Sequence, residues 1–251
     1  MPGTNTYLLG TGSRRLLIDT GEGLDAYEPL LSSALESEGC TIGAVLLTHW
    51  HHDHVQGIPQ VSKLCPEATF SKFSVNGEGD YLPIRDGDEF AVEGARVRAL
   101  HTPGHSTDHT VFWMEDSGTL FTGDSILGQG TAVFENLTTY ISSLKRQLSL
   151  NPSALYPGHG PIIQGKAATE KIQEYIDHRQ QREDEIVKVM EKEGEVTALE
   201  IVKVIYARYP QSLWPAAERG VKLHLEKLRD EGKAKEVEGG KWVLISWQSS
   251  L

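Results

Sequence analysis

The sequence predicts an α/β fold. Short apolar runs such as Ala44-Val45-Leu46-Leu47 and Thr110-Val111-Phe112-Trp113-Met114 recur along the first two thirds of the chain, as strands do. Stretches with apolar residues at helical spacing lie among them, residues 25–38 and 137–148 being the clearest. Polar clusters fall at the ends of the apolar runs, beside glycine, where a rigid scaffold places site residues.

The 251 residues suffice for one large domain, or one domain with a small one. Apolar content of 39% and charged content of 24% are ordinary for a globular chain. A formal net charge of -11 argues against non-specific nucleic-acid binding, although divalent cations would offset part of it locally. The two cysteines, Cys40 and Cys65, form no C-x-x-C motif, so a reducing intracellular compartment, the cytoplasm, is expected. No apolar run of about 18 residues occurs, and no membrane contact is expected. Met1-Pro2-Gly3-Thr4-Asn5 lacks the pattern of a signal or transit peptide.

In chain order, Thr6-Tyr7-Leu8-Leu9 and Arg15-Leu16-Leu17-Ile18 read as a hairpin around Gly10-Thr11-Gly12-Ser13. Asp19 closes its second strand and is read either as a turn former or as an orienter of a ligand loop. Helix 25–38 offers Tyr27, Leu30, Leu31, Ala34 and Leu35 as its apolar face. The strand Ala44 to Leu47 follows, and then a helix cut or started by Pro59. From Ala68 to Leu100 the pattern is one of short strands, the last delivering His101-Thr102-Pro103-Gly104-His105. Thr110 to Met114 and Thr119 to Thr122 are strands, the second ending at Gly123-Asp124. Helix 137–148 precedes a short strand at Ala154-Leu155-Tyr156, which ends in Pro157-Gly158-His159-Gly160.

The densest of these clusters is Thr48-His49-Trp50-His51-His52-Asp53-His54. It places four donors, His49, His51, Asp53 and His54, within six positions after a buried strand. Packing does not explain such a run, because unpaired imidazole and carboxylate are costly to bury. One metal cannot use all four and keep a place open for water; two neighbouring metals can. Neutral imidazole with carboxylate suits zinc first, with manganese or iron compatible.

Together with Thr102-Pro103-Gly104-His105, Thr122-Gly123-Asp124 and Tyr156-Pro157-Gly158-His159-Gly160, this run resembles the successive motifs of the metallo-β-lactamase superfamily over residues 4 to 165. The resemblance implies an αββα sandwich with the site at one edge between the sheets. It implies that His49, His51 and His105 hold one metal, that Asp53, His54 and His159 hold the other, and that Asp124 bridges both. A site without cysteine, and with Asp53, is similar to the hydrolase branch of glyoxalase II and the RNase Z-like nucleases. Gly3-Thr4-Asn5-Thr6-Tyr7-Leu8, Ile18-Asp19-Thr20-Gly21-Glu22, Gly128-Gln129-Gly130-Thr131-Ala132-Val133-Phe134-Glu135 and Tyr175-Ile176-Asp177-His178-Arg179 resemble the lactamase-β-like protein 2 group. That group holds an animal mitochondrial endoribonuclease acting on single-stranded RNA and fungal enzymes that release polyketides by thioester hydrolysis. Its members carry a further strand before Gly3, which implies a truncated N-terminus here and leaves a mitochondrial location open.

The other histidines are assigned by position. His52 takes no ligand role, His101 is expected in packing or solvent, and His109 is expected to reach the site edge or a ligand loop. His178 and His224 lie on expected helices and are structural.

The C-terminal third reads as a small winged-helix-like unit. A charged helix over residues 166–193 ends at Gly194-Glu195. Thr197 and Glu200 form a candidate capping box for a helix over 198–208. Pro215 starts another helix, running to about Asp230, and a hairpin turns at Gly239-Gly240. The expected domains are therefore 1–193 and 194–251. From Val196 on, nine Lys and Arg face seven Asp and Glu, a balance of 9 − 7 = +2. So small a balance favours a packing role over RNA contact.

The expected chemistry is hydrolysis by a hydroxide held between two metals roughly 3.5 to 4 Å apart, with Asp53 and Asp124 as the catalytic carboxylates. An acyl thioesterase acting on a small or carrier-bound acyl substrate is the first expectation, with Phe134, Gly128 and Asn5 as substrate contacts. A single-stranded-RNA endoribonuclease, stacking bases on Trp50 or Trp214, is the second. A non-catalytic binding module is disfavoured because all seven ligands are present.

Overall fold

The computed structural model describes residues 3–74 and 81–245. Its contacts divide the chain into two units, Met1–Tyr175 and Ile176–Leu251.

The first unit holds two sheets. In one, β1 (Tyr7–Leu9) and β2 (Arg14–Ile18) form the expected antiparallel hairpin, and β3 (Thr41–Leu47), β4 (Thr69–Phe73) and β5 (Leu82–Ile84) add in parallel. Residues 75–80, part of the stretch expected as short strands, lie outside the described residues. The other sheet runs β11-β10-β9-β8-β7-β6, from β6 (Glu89–Val92), β7 (Ala95–His101), β8 (Thr110–Met114) and β9 (Thr119–Gly123) to β10 (Ala154–Pro157) and β11 (Ile163–Gln164). Its one parallel pair is β9 with β10, which brings the ends of those two strands side by side.

Leu16-Leu17-Ile18 shows why the apolar runs are continuous rather than alternating. Leu16 and Ile18 meet Val97, Ala99, Phe112 and Phe121 between the sheets. Leu17 points the other way, toward α1 (Tyr27–Glu38) and, past the short α2 (His52–Val55), α3 (Ile58–Leu64), where Leu31, Leu35 and Val61 cover it. A strand buried on both faces has no polar position to alternate with. Each fully buried side chain here contributes about 1.5–3 kcal/mol. Leu30, expected on the buried face of α1, is instead 69% exposed. On the second sheet, α4 (Leu137–Ser149) buries Leu137, Tyr140 and Leu144 and starts at Asn136, whose side chain accepts from the Thr139 amide.

Helix α5 (Lys166–Glu193) is continuous, and the division of contacts falls inside it rather than at residue 193. The reason is that Ile186, Val189 and Met190 belong to the core of the second unit, with Ile201, Val202, Val221, Leu225, Leu228 and Trp242. That core is framed by α6 (Ala198–Ile205), α7 (Trp214–Asp230) and a sheet in the order β12 (Val196–Thr197), β14 (Lys241–Leu244), β13 (Ala234–Val237). The capping box at Thr197 and Glu200 is present, while α6 stops short of the expected residue 208. Among the described residues no helix is long and apolar enough to cross a membrane.

Candidate metal centre

Four loops converge at strand ends of the first unit: Thr48 to His54 after β3, Thr102 to His105 after β7, Asp124 after β9 and Gly158-His159 after β10. Backbone hydrogen bonds set their spacing. The Gly158 amide donates to Gly123 O at 2.8 Å, and the Thr110 amide donates to Thr48 O at 2.8 Å, tying the first sheet to the second.

The side chains gather in two groups, His49 with His51 and His105, and Asp53 with His54, Asp124 and His159. In the first, His49 Nε2, His51 Nδ1 and His105 Nε2 lie 2.9–3.2 Å from one another. Two tautomers follow from their neighbours. The Thr48 hydroxyl donates to Asp19 Oδ2 at 2.9 Å and so accepts from His49 Nδ1 at 2.9 Å. His105 Nδ1 donates to Val133 O at 2.8 Å. Both Nε2 atoms are thereby left as lone pairs aimed at one point. Burial pushes the His49 and His105 imidazoles below their ordinary range, into the neutral form a metal requires.

In the second group, Asp53 Oδ2 lies 3.0 Å from His159 Nε2, and Asp124 Oδ1 lies 3.4 Å from both His54 Nε2 and His159 Nε2. Asp124 Oδ2 faces the other way, 3.9 Å from His105 Nε2. His54 Nδ1 donates to Asp19 Oδ2 at 2.7 Å. His54 Nε2, His159 Nε2 and Asp124 Oδ1 are buried without a hydrogen-bond partner. Each such orphan costs about 1–3 kcal/mol, and a cation between them would satisfy all three. The donor set therefore fits a metal. Burial works against charge on His54, but Asp19 and Asp124 outweigh it and raise that imidazole to about 10. Asp124 and Asp53 beside His159 raise it to about 10 as well. Burial alone would raise the Asp124 carboxyl, yet His159 and His54 hold it well below the usual carboxylate range. The site carries carboxylate charge that only protons or a cation can balance.

All seven expected ligands are thus brought together, and Asp19 takes the orienting role. His109, fully buried, accepts from the Asp124 amide through Nε2 at 3.2 Å and pairs with the Thr102 hydroxyl through Nδ1 at 3.0 Å. His52 is exposed, and His101 stacks on Phe73 with ring centroids 3.8 Å apart. The three expected substrate contacts are placed as follows. The Asn5 side-chain amide donates to Pro157 O at 3.0 Å and Gly160 O at 2.8 Å, holding the His159 loop. The Gly128 amide donates to His159 O at 2.8 Å, and a Cβ on Gly128 would stand 2.1 Å from Pro161 O. Phe134 is half-buried and stacks on Tyr140 at 5.2 Å. Sequence reasoning gave no role to Thr48 or Thr102, although each heads a ligand motif with a hydroxyl able to fix a ring nitrogen.

Two sheets carry seven side chains that could hold metal ions on the loops at their strand ends, and that arrangement defines the class of fold. The chain belongs to the metallo-beta-lactamase superfamily, which it matches over residues 2–159; residues 197–242 match the Beta-lactamase associated winged helix domain. It is 45% identical to Beta-lactamase-like protein 2 homolog of Drosophila melanogaster, over 93% of this chain and 84% of that one. It is 38% identical to an Atrochrysone carboxyl ACP thioesterase of Aspergillus fumigatus, over 98% of this chain and 62% of that one. A metallo-beta-lactamase family protein of Thermus thermophilus superposes with a TM-score of 0.73 at 25% identity, covering 96% and 94% of the two chains.

Proposed function

We propose that the chain is a two-metal hydrolase that cleaves acyl thioesters, small or carrier-bound. The observation that carries the two-metal part is the Asp124 carboxylate, which turns one oxygen to each ligand group. His49, His51 and His105 would hold one ion, Asp53, His54 and His159 the other, and Asp124 would touch both. Zinc suits this imidazole-rich set first, with manganese or iron compatible. Bound there, the ions would supply Lewis acidity and lower the pKa of water.

The rest falls to the chain's own residues. Asp124 stands ionised between the two groups, so it can orient an attacking water by accepting its hydrogen, and a carboxyl held so low hands the proton on rather than keeping it. Asp53 has a side chain 35% exposed beside His159, and it can pass that proton to solvent. His109 and Thr102 hold the Asp124 backbone in place. No serine or cysteine nucleophile is needed.

Thioester chemistry is supported by the similarity to the fungal thioesterase. Endoribonuclease activity is the second reading, supported by the winged-helix match. Five of its nine basic side chains stand in ion pairs: Lys227 with Glu183 and Glu231, Lys222 with Glu218, Arg229 with Asp230, Lys233 with Glu231 and Lys241 with Glu195. With seven acidic residues beside those nine, the unit offers phosphates only a small net positive charge. The test is a pair of assays on metal-replete protein and on Asp124→Ala, with an acyl-thioester panel and a labelled single-stranded RNA. Thioester cleavage lost in the variant, with RNA intact, supports the thioesterase. RNA cutting lost in the same variant replaces it with the nuclease.

A further inference from the structure

Helix α1 leaves apolar side chains uncovered on one side. Leu31 and Leu35 are buried against the first sheet, but Leu30 is 69% exposed, and Leu24, just before the helix, is 59% exposed. Single exposed leucines are ordinary. These two, with Ala26 and Tyr27, line one cleft of about 190 Å³, to which Gly3 and Thr4 also contribute.

Gly3 and Thr4 are joined to the candidate metal centre. Thr4 bridges to His159 in antiparallel fashion, and His159 Nδ1 lies 3.4 Å from Gly3 O. Gly21, also on the cleft wall, stands two residues after Asp19, which fixes His54. The cleft and the centre therefore share the backbone that positions two of the ligands. Its chemistry is one-sided. Of the described residues lining it, none is Lys, Arg or His; Glu22 is the only carboxylate among them, and the Tyr27 hydroxyl is occupied in donating to Thr6 Oγ1 at 3.1 Å. A phosphate chain finds no cation here and meets a carboxylate, whereas a hydrocarbon chain or a single ring finds apolar walls.

We propose that this cleft binds the hydrocarbon part of the acyl group while the thioester lies at Asp124. The proposal rests on the thioesterase reading and names the part of the substrate that the cleft selects. Binding in the cleft rewards chain length, since each methylene removed from water tightens association about fourfold.

The test uses two series of acyl-pantetheine compounds with acyl chains of about two to eight carbons, one of cleavable thioesters and one of non-cleavable thioether analogues. Wild type is compared with Ala26→Trp, which fills the cleft, and Leu30→Asp, which charges it. Both positions are exposed, so the fold tolerates the changes. In wild type, thioether affinity and kcat/KM for the thioesters should both climb about fourfold per methylene. In the variants the climb should flatten, with the two-carbon compounds bound and cleaved as in wild type. Turnover without dependence on chain length, or a climb kept in both variants, overturns the cleft and leaves the thioesterase. Graded thioether binding lost in the variants, with no thioester cleaved, keeps the cleft and overturns the thioesterase. Neither binding nor cleavage overturns both.

Discussion

Asp19 Oδ2 accepts the hydrogen of His54 Nδ1 at 2.7 Å, and the same carboxylate accepts from the Thr48 amide at 2.8 Å and the Thr48 hydroxyl at 2.9 Å. One side chain on the first hairpin thus fixes the tautomer of a ligand in each group, His54 directly and His49 through Thr48. Its backbone sits in the left-handed region at φ 56°, which Asp and Asn tolerate better than most residues. Asp19→Asn keeps that backbone and removes the charge. It should weaken metal affinity about 10- to 100-fold, measured by competition with a chelator. Unchanged affinity would leave Asp19 as a turn former only.

Removing the shared carboxylate should be more severe. Asp124→Ala is expected to lose hydrolysis by about 100-fold or more, and metal content per chain should fall when measured by elemental analysis. A variant with wild-type metal content would contradict the placement of Asp124 between the ions.

Proton release should distinguish the two groups. Without metal, His54 and His159 titrate at about 10, so both are protonated at neutral pH. A cation must displace those protons, and its apparent affinity should rise as pH increases toward 10. His49 and His105 are already neutral and release little. In the metal-free protein the raised values of His54 and His159 stabilise the fold fully below about pH 6.5, and that contribution fades as pH climbs through 10. Calorimetric titration with zinc in buffers of different ionisation heat reads the proton count. Identical heats in all buffers would refute it.

Gly158 has space for hydrogen only. A Cβ there would lie 2.6 Å from Asp124 Oδ1 and 2.8 Å from His54 Cε1. Gly158→Ala should therefore displace two ligands of the second group, lowering metal content and activity while leaving the circular dichroism spectrum unchanged. Full activity would mean that the loop yields without moving the ligands.

In the second unit Ile201 is fully buried among Ile186, Val202, Val221 and Leu225. Ile201→Ala should cost about 2–5 kcal/mol, read as a lower denaturant midpoint for that unit. A loss under about 1 kcal/mol would show that the core closes around the cavity.

Much of this protein is written locally in its sequence. Buried strands such as Leu16-Leu17-Ile18 announce themselves as apolar runs, and Thr197 with Glu200 announces a helix start, because strand burial and capping depend on residues close in the chain. The seven candidate ligands were legible as candidates for the same reason, imidazole and carboxylate at a strand end beside glycine having few other uses, while their division between two ions came from the family resemblance. Tertiary structure alone decided what those residues meet. The contact of Asp19 with His54 spans 35 positions and depends on β2 pairing with β3, and the hydrogen bond from the Asp124 amide to His109 depends on β8 pairing with β9. The exposure of Leu30, the duty of Asn5 at the His159 loop and the division of contacts inside α5 have the same origin. Residue type states what a side chain can do, but strand register and helix rotation choose its partners, and those are set by packing between segments far apart in the chain.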